Sequence, residues 1–328
     1  MGPPPHCLCT LLLLLCPAGA PFRICAFNLQ RFAGPKAAKV VVMDTLVKIV
    51  SRCDIAVLQE VMDAKGQAVP ALINALHRSA GPDSYTALSS PLLGAGKYQE
   101  RYVFVYRSGS TQLLDPTVPG REPRQTDAFT REPFVGASAC PAKCSPPWCL
   151  SPSTVPKKAE MEIDALYDVF LDVQARWGTE DVMFLGDFNA DCGYVAKKRW
   201  GQIQLRSDPS FHWLIADTAD TTVRNSTHCA YDRIVVHGER CLGLVVPGSA
   251  QPFDFPSTFG LTESKALEVS DHYPVEVQLE LNAALRGLAG RTTAAAPGYA
   301  AGRAGSDLPT QRCWAYGPWG TPDREAGI

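Results

Sequence analysis

Four short segments place a carboxylate or an amide beside an apolar run: Phe27-Asn28, Gln59-Glu60, Gly186-Asp187-Phe188-Asn189 and Tyr231-Asp232. Ser270-Asp271-His272 closes the series. Oxygen donors of this kind suit a hard cation such as magnesium or calcium. A magnesium ion held by one or two carboxylates and several waters stabilises a pentavalent phosphate, while an acid–histidine pair activates water or protonates the leaving oxygen. These are the parts of a phosphodiester hydrolase. Any one of them alone is an ordinary cap or turn residue; their order along one chain is the signal.

Such residues need strands and helices to position them. Phe22–Phe27 and Ile55–Leu58 read as buried strands, as do Tyr102–Tyr106, Val182–Leu185, Arg233–Val236 and Val275–Leu281. Val40–Val50 carries Val40, Met43, Leu46, Val47 and Val50 at helical spacing, and Ala68–Leu76 suits a second helix. Ala159–Trp177 reads as a long amphipathic helix with Ile163, Leu166, Tyr167, Phe170 and Leu171 inward. The alternation predicts a layered α/β or α+β fold, with each polar segment immediately after a strand.

The chain has 328 residues, of which 46% are hydrophobic, enough for one large core. A formal net charge of -2 excludes a broadly basic glove for nucleic acid, so any polyanion must be met by local arginines and metal ions. The leucine run between Cys9 and Cys16 is too short to span a bilayer and precedes Ala18-Gly19-Ala20. Residues 1–20 are therefore read as a signal peptide, and the protein as entering the secretory pathway, to be secreted or kept in the endoplasmic reticulum lumen. No later stretch reads as a stable membrane span. We expect a monomer.

Residues 21–282 are read as the catalytic domain. Residues 283–328, rich in Ala, Gly, Arg and Thr without apolar periodicity, read as a disordered tail. Of 12 cysteines, Cys7, Cys9 and Cys16 leave with the leader, so an odd number remains for an oxidising compartment. Cys192 and Cys229 flank the two most motif-like segments and are paired here; the bridge closes a loop worth roughly 3–4 kcal/mol in the chain-entropy picture. For Cys25 and Cys53 a buried thiol acting as a small hydrophobe weighs at least as much as a bridge. Asn225-Ser226-Thr227 is a glycosylation sequon, usable in a secreted chain.

Gly186–Asn189, the Cys192–Cys229 pair enclosing Asp232, and Ser270–His272 together resemble the deoxyribonuclease I family of the endonuclease/exonuclease/phosphatase superfamily. Lys97–Tyr102, Arg131-Glu132-Pro133-Phe134, Asp164–Val169 and Cys229–Arg233 narrow the likeness, which runs from Phe22 to about Leu281. The resemblance implies two mainly antiparallel or mixed β-sheets packed face to face and flanked by helices. It also implies cleavage of DNA with magnesium, and structural calcium.

Residue by residue, the likeness makes Glu60 the main magnesium ligand, helped by Asn28, with Asp271 beside it. Asp187 and Asn189 hold the scissile phosphate and metal, and His272 is oriented by Asp232. Glu100 orients a second histidine, and Arg131 contacts a DNA phosphate. Tyr98 packs on a deoxyribose, or else is a half-buried tyrosine at a strand edge. Met62 stands where deoxyribonuclease I has a groove-entering arginine. A phosphatase or sphingomyelinase fits the Cys192–Cys229 pair and the Arg131 segment less well. A catalytically impaired secreted binding protein belongs to a different class again.

That second histidine is absent, since none occurs between His77 and His212. Cys140, Cys144 and Cys149 have no fourth ligand at zinc-finger spacing. Read from the third base of each codon, however, Ala137 to Ser153 can spell FSLPSKVLPSLVLVPLH, an apolar strand ending in histidine. Trp148 followed by Cys149 forces valine in that frame. Residues 136–154 are therefore read as mis-registered, and in the present register we expect a lost core strand and a lost acid/base group.

Overall fold

The computed structural model describes residues 21–94, 96, 98–114, 128–139 and 148–280. The expected leader (residues 1–20) and tail (residues 283–328), with Lys97, Cys140 and Cys144, lie outside these residues. In chain order the elements are β1 (Phe22–Phe32), α1 (Gly34–Ala37), α2 (Val40–Val50), β2 (Ile55–Val61), α3 (Ala68–Ala80), β3 (Tyr85–Ser89) and β4 (Arg101–Arg107). Next come β5 (Gln112–Leu114), β6 (Phe134–Ala139), β7 (Trp148–Ser151), α4 (Ala159–Trp177), β8 (Val182–Asp187), α5 (Gln204–Ser207) and β9 (His212–Trp213). β10 (Asp232–His237), α6 (Glu239–Leu244), β11 (Gln251–Pro252), α7 (Phe255–Phe259), α8 (Glu263–Val269) and β12 (Val275–Leu279) complete it.

The strands form two six-stranded sheets, ordered β11-β12-β1-β2-β4-β3 and β5-β6-β7-β8-β10-β9. Each is mixed: β1 runs parallel to β2, and β7 parallel to β8, within otherwise antiparallel neighbours. The side-chain period of two explains why the strands are apolar throughout. Ile24, Ala26, Ile55, Val57 and Phe104 face Met183, Leu185, Ile234 and Val236 between the sheets. Their alternates Cys25, Phe27, Ala56 and Leu58 pack on Val42, Leu46, Leu72 and Leu76 of the helices. On the far side, Val182, Phe184 and Val235 meet Ile163, Leu166 and Phe170 of α4. The fold is thus a helix, sheet, sheet, helix sandwich, as the resemblance implied.

Several local readings are corrected. Val40 is 72% exposed and Leu171 42% exposed. At 100° per residue Leu171 lies one step off the stripe of Ile163, Leu166 and Phe170, and α2 buries Val42, Met43, Leu46, Ile49 and Val50 instead. Gly178, with φ 62°, ends α4 in the left-handed region. Cys25 and Cys53 form a bridge that ties the end of α2 to β1, with a Cα separation of 6.1 Å. The strand expected to be lost is present: β7 pairs with β6 through Phe134↔Ser151, Val135↔Leu150 and Gly136↔Cys149, and with β8 through Trp148↔Val182. Trp-Cys-Leu favours extended backbone, and the pairing satisfies peptide groups of β6 and β8 that would otherwise be orphaned. The described residues contain no helix long and apolar enough to cross a membrane.

Candidate functional site

The polar segments lie at one shared end of the two sheets, but not all just past a strand. Asp187 is the last residue of β8 and Asp232 the first of β10, and antiparallel pairing sets them opposite each other. Asn28 and Glu60 lie inside β1 and β2, at irregularities between Asn28 and Phe32 and between Leu58 and Val61. Four non-glycine residues there adopt positive φ: Gln30 (45°), Arg31 (61°), Glu60 (52°) and Asn189 (47°). Such backbone costs of order 1–3 kcal/mol per residue and persists where neighbours over-determine it. The neighbours here are the site's own side chains. Asn28 Oδ1 accepts from Gln30 N–H (2.8 Å), Glu60 Oε2 from Arg31 N–H (3.1 Å) and Asp187 Oδ1 from Asn189 N–H (2.9 Å). Lys36 Nζ holds the carbonyls of Leu29 and Gln30, and burial, opposed by Asp271 and Glu60, lowers its pKa to about 8.

Across the sheets, Asn28 Nδ2 lies 3.1 Å from both Glu60 Oε1 and Asp187 Oδ2. Two carboxylates thus converge on one small polar group, the Asn28 amide. An all-oxygen pair of this kind fits a hard divalent cation. One expectation is altered: Asn28 presents its N–H₂ to the carboxylates, because its oxygen is engaged by Gln30. Asp271, a third exposed, has Oδ1 3.9 Å from His272 Nε2.

Sequence reasoning passed over Gln59 as a mere neighbour of Glu60. It is fully buried, accepts from Asp187 N–H at 2.9 Å and donates to the Pro152 carbonyl, stitching the sheets together under the site. Gly186, at φ 149°, is required there, since a Cβ would press on the Gln59 amide and meet the Pro152 backbone oxygen at 2.6 Å. Ser270 was legible only as part of its motif. Its hydroxyl donates to the Asn28 carbonyl (2.7 Å) and accepts from His272 N–H (3.0 Å).

His272 Nδ1 is 2.8 Å from Asp232 Oδ2, and its Nε2 is 3.9 Å from Asp187 Oδ2. Burial works against the imidazolium, but Asp232 and Asp187 together outweigh it, and the histidine pKa rises well above its ordinary value. Asp187, Asp232 and His272 lie close enough to share an ion. With Nδ1 committed to Asp232, the arrangement is instead a carboxylate–imidazole pair whose Nε2 faces the carboxylates of Asp187 and Asp271.

Glu100 has no histidine partner. Its Oε1 accepts from Ser153 Oγ (3.3 Å) and pairs with Arg131 Nε (2.9 Å), while Oε2 is buried without a hydrogen-bond partner among the described residues. Arg131, expected at a DNA phosphate, is only 9% exposed and turned inward, and it also donates to the carbonyls of Ser153 and Thr154. Arg131 and Ser153 thus share Glu100 Oε1 between them. Glu162, buried at the start of α4 and not anticipated, accepts from Thr130 N–H and Val155 N–H and so pins both loops. Asn189 Nδ2 in turn donates to the Thr154 carbonyl at 2.9 Å.

Burial raises the Glu100 pKa from 4.5 to about 7, more than Arg131 lowers it. The folded state therefore keeps a proton between these values that the unfolded chain has released, and stability falls as pH rises through this window. The contribution of Glu100 is at most about 3 kcal/mol. Urea unfolding between pH 5 and 7.5 is expected to show a shallower loss of stability in Glu100→Gln than in the parent; parallel curves would refute the assignment.

A cavity of about 490 Å³ at this end of the sheets is lined by Glu60, Tyr98, Arg131, Asp187, Asn189 and His272 among others. A larger cavity of about 660 Å³, beside α1 and α3, is walled by alanines together with Gly34, Pro35, Met62, Lys65 and Gln67. Its one buried carboxylate, Asp63, is used up as acceptor for Gln67, Ala68 and Val69 N–H. The chemistry lies in the smaller one. Tyr98 is 43% exposed on its rim, with its hydroxyl 3.4 Å from Arg31 Nε. Cys192–Cys229 is formed, with a Cα separation of 5.9 Å, and joins the loop after Asn189 to the loop before Asp232. Asn225 is exposed and donates from N and Nδ2 to Glu263.

Two face-packed sheets with carboxylates, amides and a carboxylate–histidine pair at one common end define the class, and the chain belongs to the Endonuclease/Exonuclease/phosphatase family, which it matches over residues 25–272. Within it, the chain is 54% identical to Deoxyribonuclease-1-like 1 of Sus scrofa over 84% of this chain and 86% of that protein. It is 53% identical to the Homo sapiens protein of the same name, over 84% of this chain and 89% of the relative. Identity to Deoxyribonuclease-1 of Sus scrofa is 47%, over 79% and 91% respectively. The resemblance read from the motifs is borne out. Among solved structures, a humanized D. rerio TDP2 (TM-score 0.53, 13% identity, covering 79% of this chain and 98% of that one) shares the fold. So does the human Nocturnin catalytic domain (TM-score 0.52, 14% identity, covering 79% and 93%).

Proposed function

We propose that this chain is a secreted, metal-dependent endonuclease that hydrolyses DNA phosphodiester bonds. The observation that carries this reading is the convergence of Asn28, Glu60 and Asp187 beside the His272–Asp232 pair, with Glu60, Asp187 and His272 lining one cavity. The names of the relatives supply the substrate, DNA, and the two disulfides are compatible with the secretory pathway.

Glu60 is the main ligand for magnesium, with Asp271 beside it and the Asn28 amide helping by holding the Glu60 and Asp187 carboxylates in place. A magnesium ion held there would supply neutralisation of the phosphate charge and a more acidic water. Asp187 and Asn189 position the scissile phosphate. His272, kept protonated by Asp232, delivers a proton from Nε2 to the leaving oxygen. Tyr98 offers its exposed ring to a sugar, and Arg131 reaches a phosphate once it leaves Glu100. Calcium is retained as a structural ion on the family alone. Asn225 is the glycosylation site and the protein acts as a monomer.

A second reading, a catalytically impaired binding protein, is favoured by one observation: Glu100 faces a serine hydroxyl rather than an imidazole. We attribute this to mis-registration of residues 136–154, so that the natural chain carries histidine at position 153. A spliced transcript in the alternative frame is the expected finding; one in the present frame sinks this attribution. Purified protein should nick supercoiled plasmid with magnesium and stop when EDTA is added. Plasmid that stays supercoiled but is retarded on a gel would establish the binding protein instead.

A further inference from the structure

The irregularity in β1 turns Arg31 out of the strand and toward the rim of the site. Its φ of 61° follows a φ of 45° at Gln30, a tandem that a non-glycine residue adopts only under constraint. A bulge of this kind re-aims a side chain. The constraint is Glu60, whose Oε2 accepts the Arg31 N–H at 3.1 Å while Oε1 faces Asn28. The guanidinium stands 5.3 Å over the Tyr98 ring, with Nε 3.4 Å from the hydroxyl. The Arg31 side chain is exposed, and no salt bridge engages it among the described residues. Arg131, the arginine that lines the cavity, is buried against Glu100.

We infer that Arg31, stacked on Tyr98, is a substrate-positioning residue that binds a phosphate of the DNA strand next to the scissile one. Phosphates on one strand recur every 3.4 Å of helical rise, so a cation tethered to Glu60 through its own backbone meets the next charge while Glu60 and Asp187 attend to the first. The tether also explains the strain: the same peptide group that orients Glu60 sets the direction of the arginine. The contact is to backbone charge and carries no base preference. The inference rests on the DNA reading given above and assigns that site a second phosphate position.

The test uses a labelled duplex with phosphorothioate linkages, which keep the charge and resist cleavage, with magnesium present and salt varied. Removing one phosphate contact in Arg31→Ala should reduce the slope of log affinity against log salt by about 0.9, and Arg31→Lys should keep it. For plasmid, Arg31→Ala should raise KM and leave kcat unchanged. Hydrolysis of bis(p-nitrophenyl) phosphate, which has a single phosphate, should be unaltered. If the parent binds and cuts DNA while Arg31→Ala has the same slope and KM, the inference is overturned and the nuclease reading stands. A parallel loss on the small diester would also overturn it, by showing that Arg31 only positions Glu60. If the parent neither binds nor cuts DNA, the DNA reading fails and takes the inference with it.

Discussion

Exchanging Ser153 for histidine is expected to raise the rate of plasmid nicking by about 10²–10⁴-fold, the usual worth of a positioned acid or base. Position 153 already points at Glu100, with the serine hydroxyl 3.3 Å from Oε1. The other carboxylate oxygen is buried with no hydrogen-bond partner among the described residues. A buried carboxylate with a free acceptor is what fixes the tautomer and tilt of an imidazole, so the supporting half of the pair exists without the half that reacts. Serine at its ordinary pKa cannot take a proton from water at a useful rate. The imidazole must displace Arg131 from its 2.9 Å contact with Glu100, and overpacking of that kind costs about 1–3 kcal/mol. The variant should therefore be faster and less thermostable than its parent. Adding Glu100→Gln should cancel most of the gain, because an amide does not stabilise the imidazolium. A folded Ser153→His protein with an unchanged rate would remove Glu100 from the catalytic scheme.

The opposite change at the complete pair is expected to be as large. His272→Ala should lower kcat by about 10²–10⁴-fold while leaving KM nearly unchanged, since the imidazole acts on the proton in flight rather than on ground-state binding. Asp232→Asn should lower kcat less than His272→Ala does. It keeps the side-chain volume but removes the charge that, with Asp187, holds the imidazole protonated against the cost of burial. Loss of the Asp232 charge should bring the alkaline limb of the pH–rate profile to lower pH. Steady-state nicking assays across pH on both variants check this. A KM effect without a kcat effect would make His272 a binding group, and an unmoved alkaline limb in Asp232→Asn would detach that limb from this pair.

Much of the layered architecture was legible along the chain. Helices α2 and α4 were read at the bounds the structure gives them, because an amphipathic stripe at 3.6 residues per turn is written locally. The buried strands were equally plain, since both faces of each sheet are covered and their sequences are apolar throughout. Edges were less visible. β3, with Tyr85 buried but Thr86 exposed, and the two-residue strands β9 and β11 carry too little pattern to stand out. Leu171 was placed inward, and Val40 counted in the apolar spacing of α2, because they are apolar, whereas a stripe has a finite width that only packing locates. The Cys25–Cys53 bridge was undecidable from composition, because a buried thiol and a buried disulfide sit in the same apolar surroundings.

The sequence by itself determined the chemical inventory: the oxygen-rich segments, the Asp232 and His272 partners, the cysteines that bracket them, and the absence of a second histidine. The tertiary structure decided which atoms meet. Asn28 and Asp187 are 159 residues apart and touch only because two sheets stack with their polar ends together. Asp187 and Asp232 face each other only through strand register. Register and stacking are collective outcomes of burying many apolar faces at once, so no local stretch encodes them. For the same reason only the fold could show that Glu100, lacking a histidine, is held by Arg131 and Ser153, and that the strained backbone at Arg31 is tethered to Glu60.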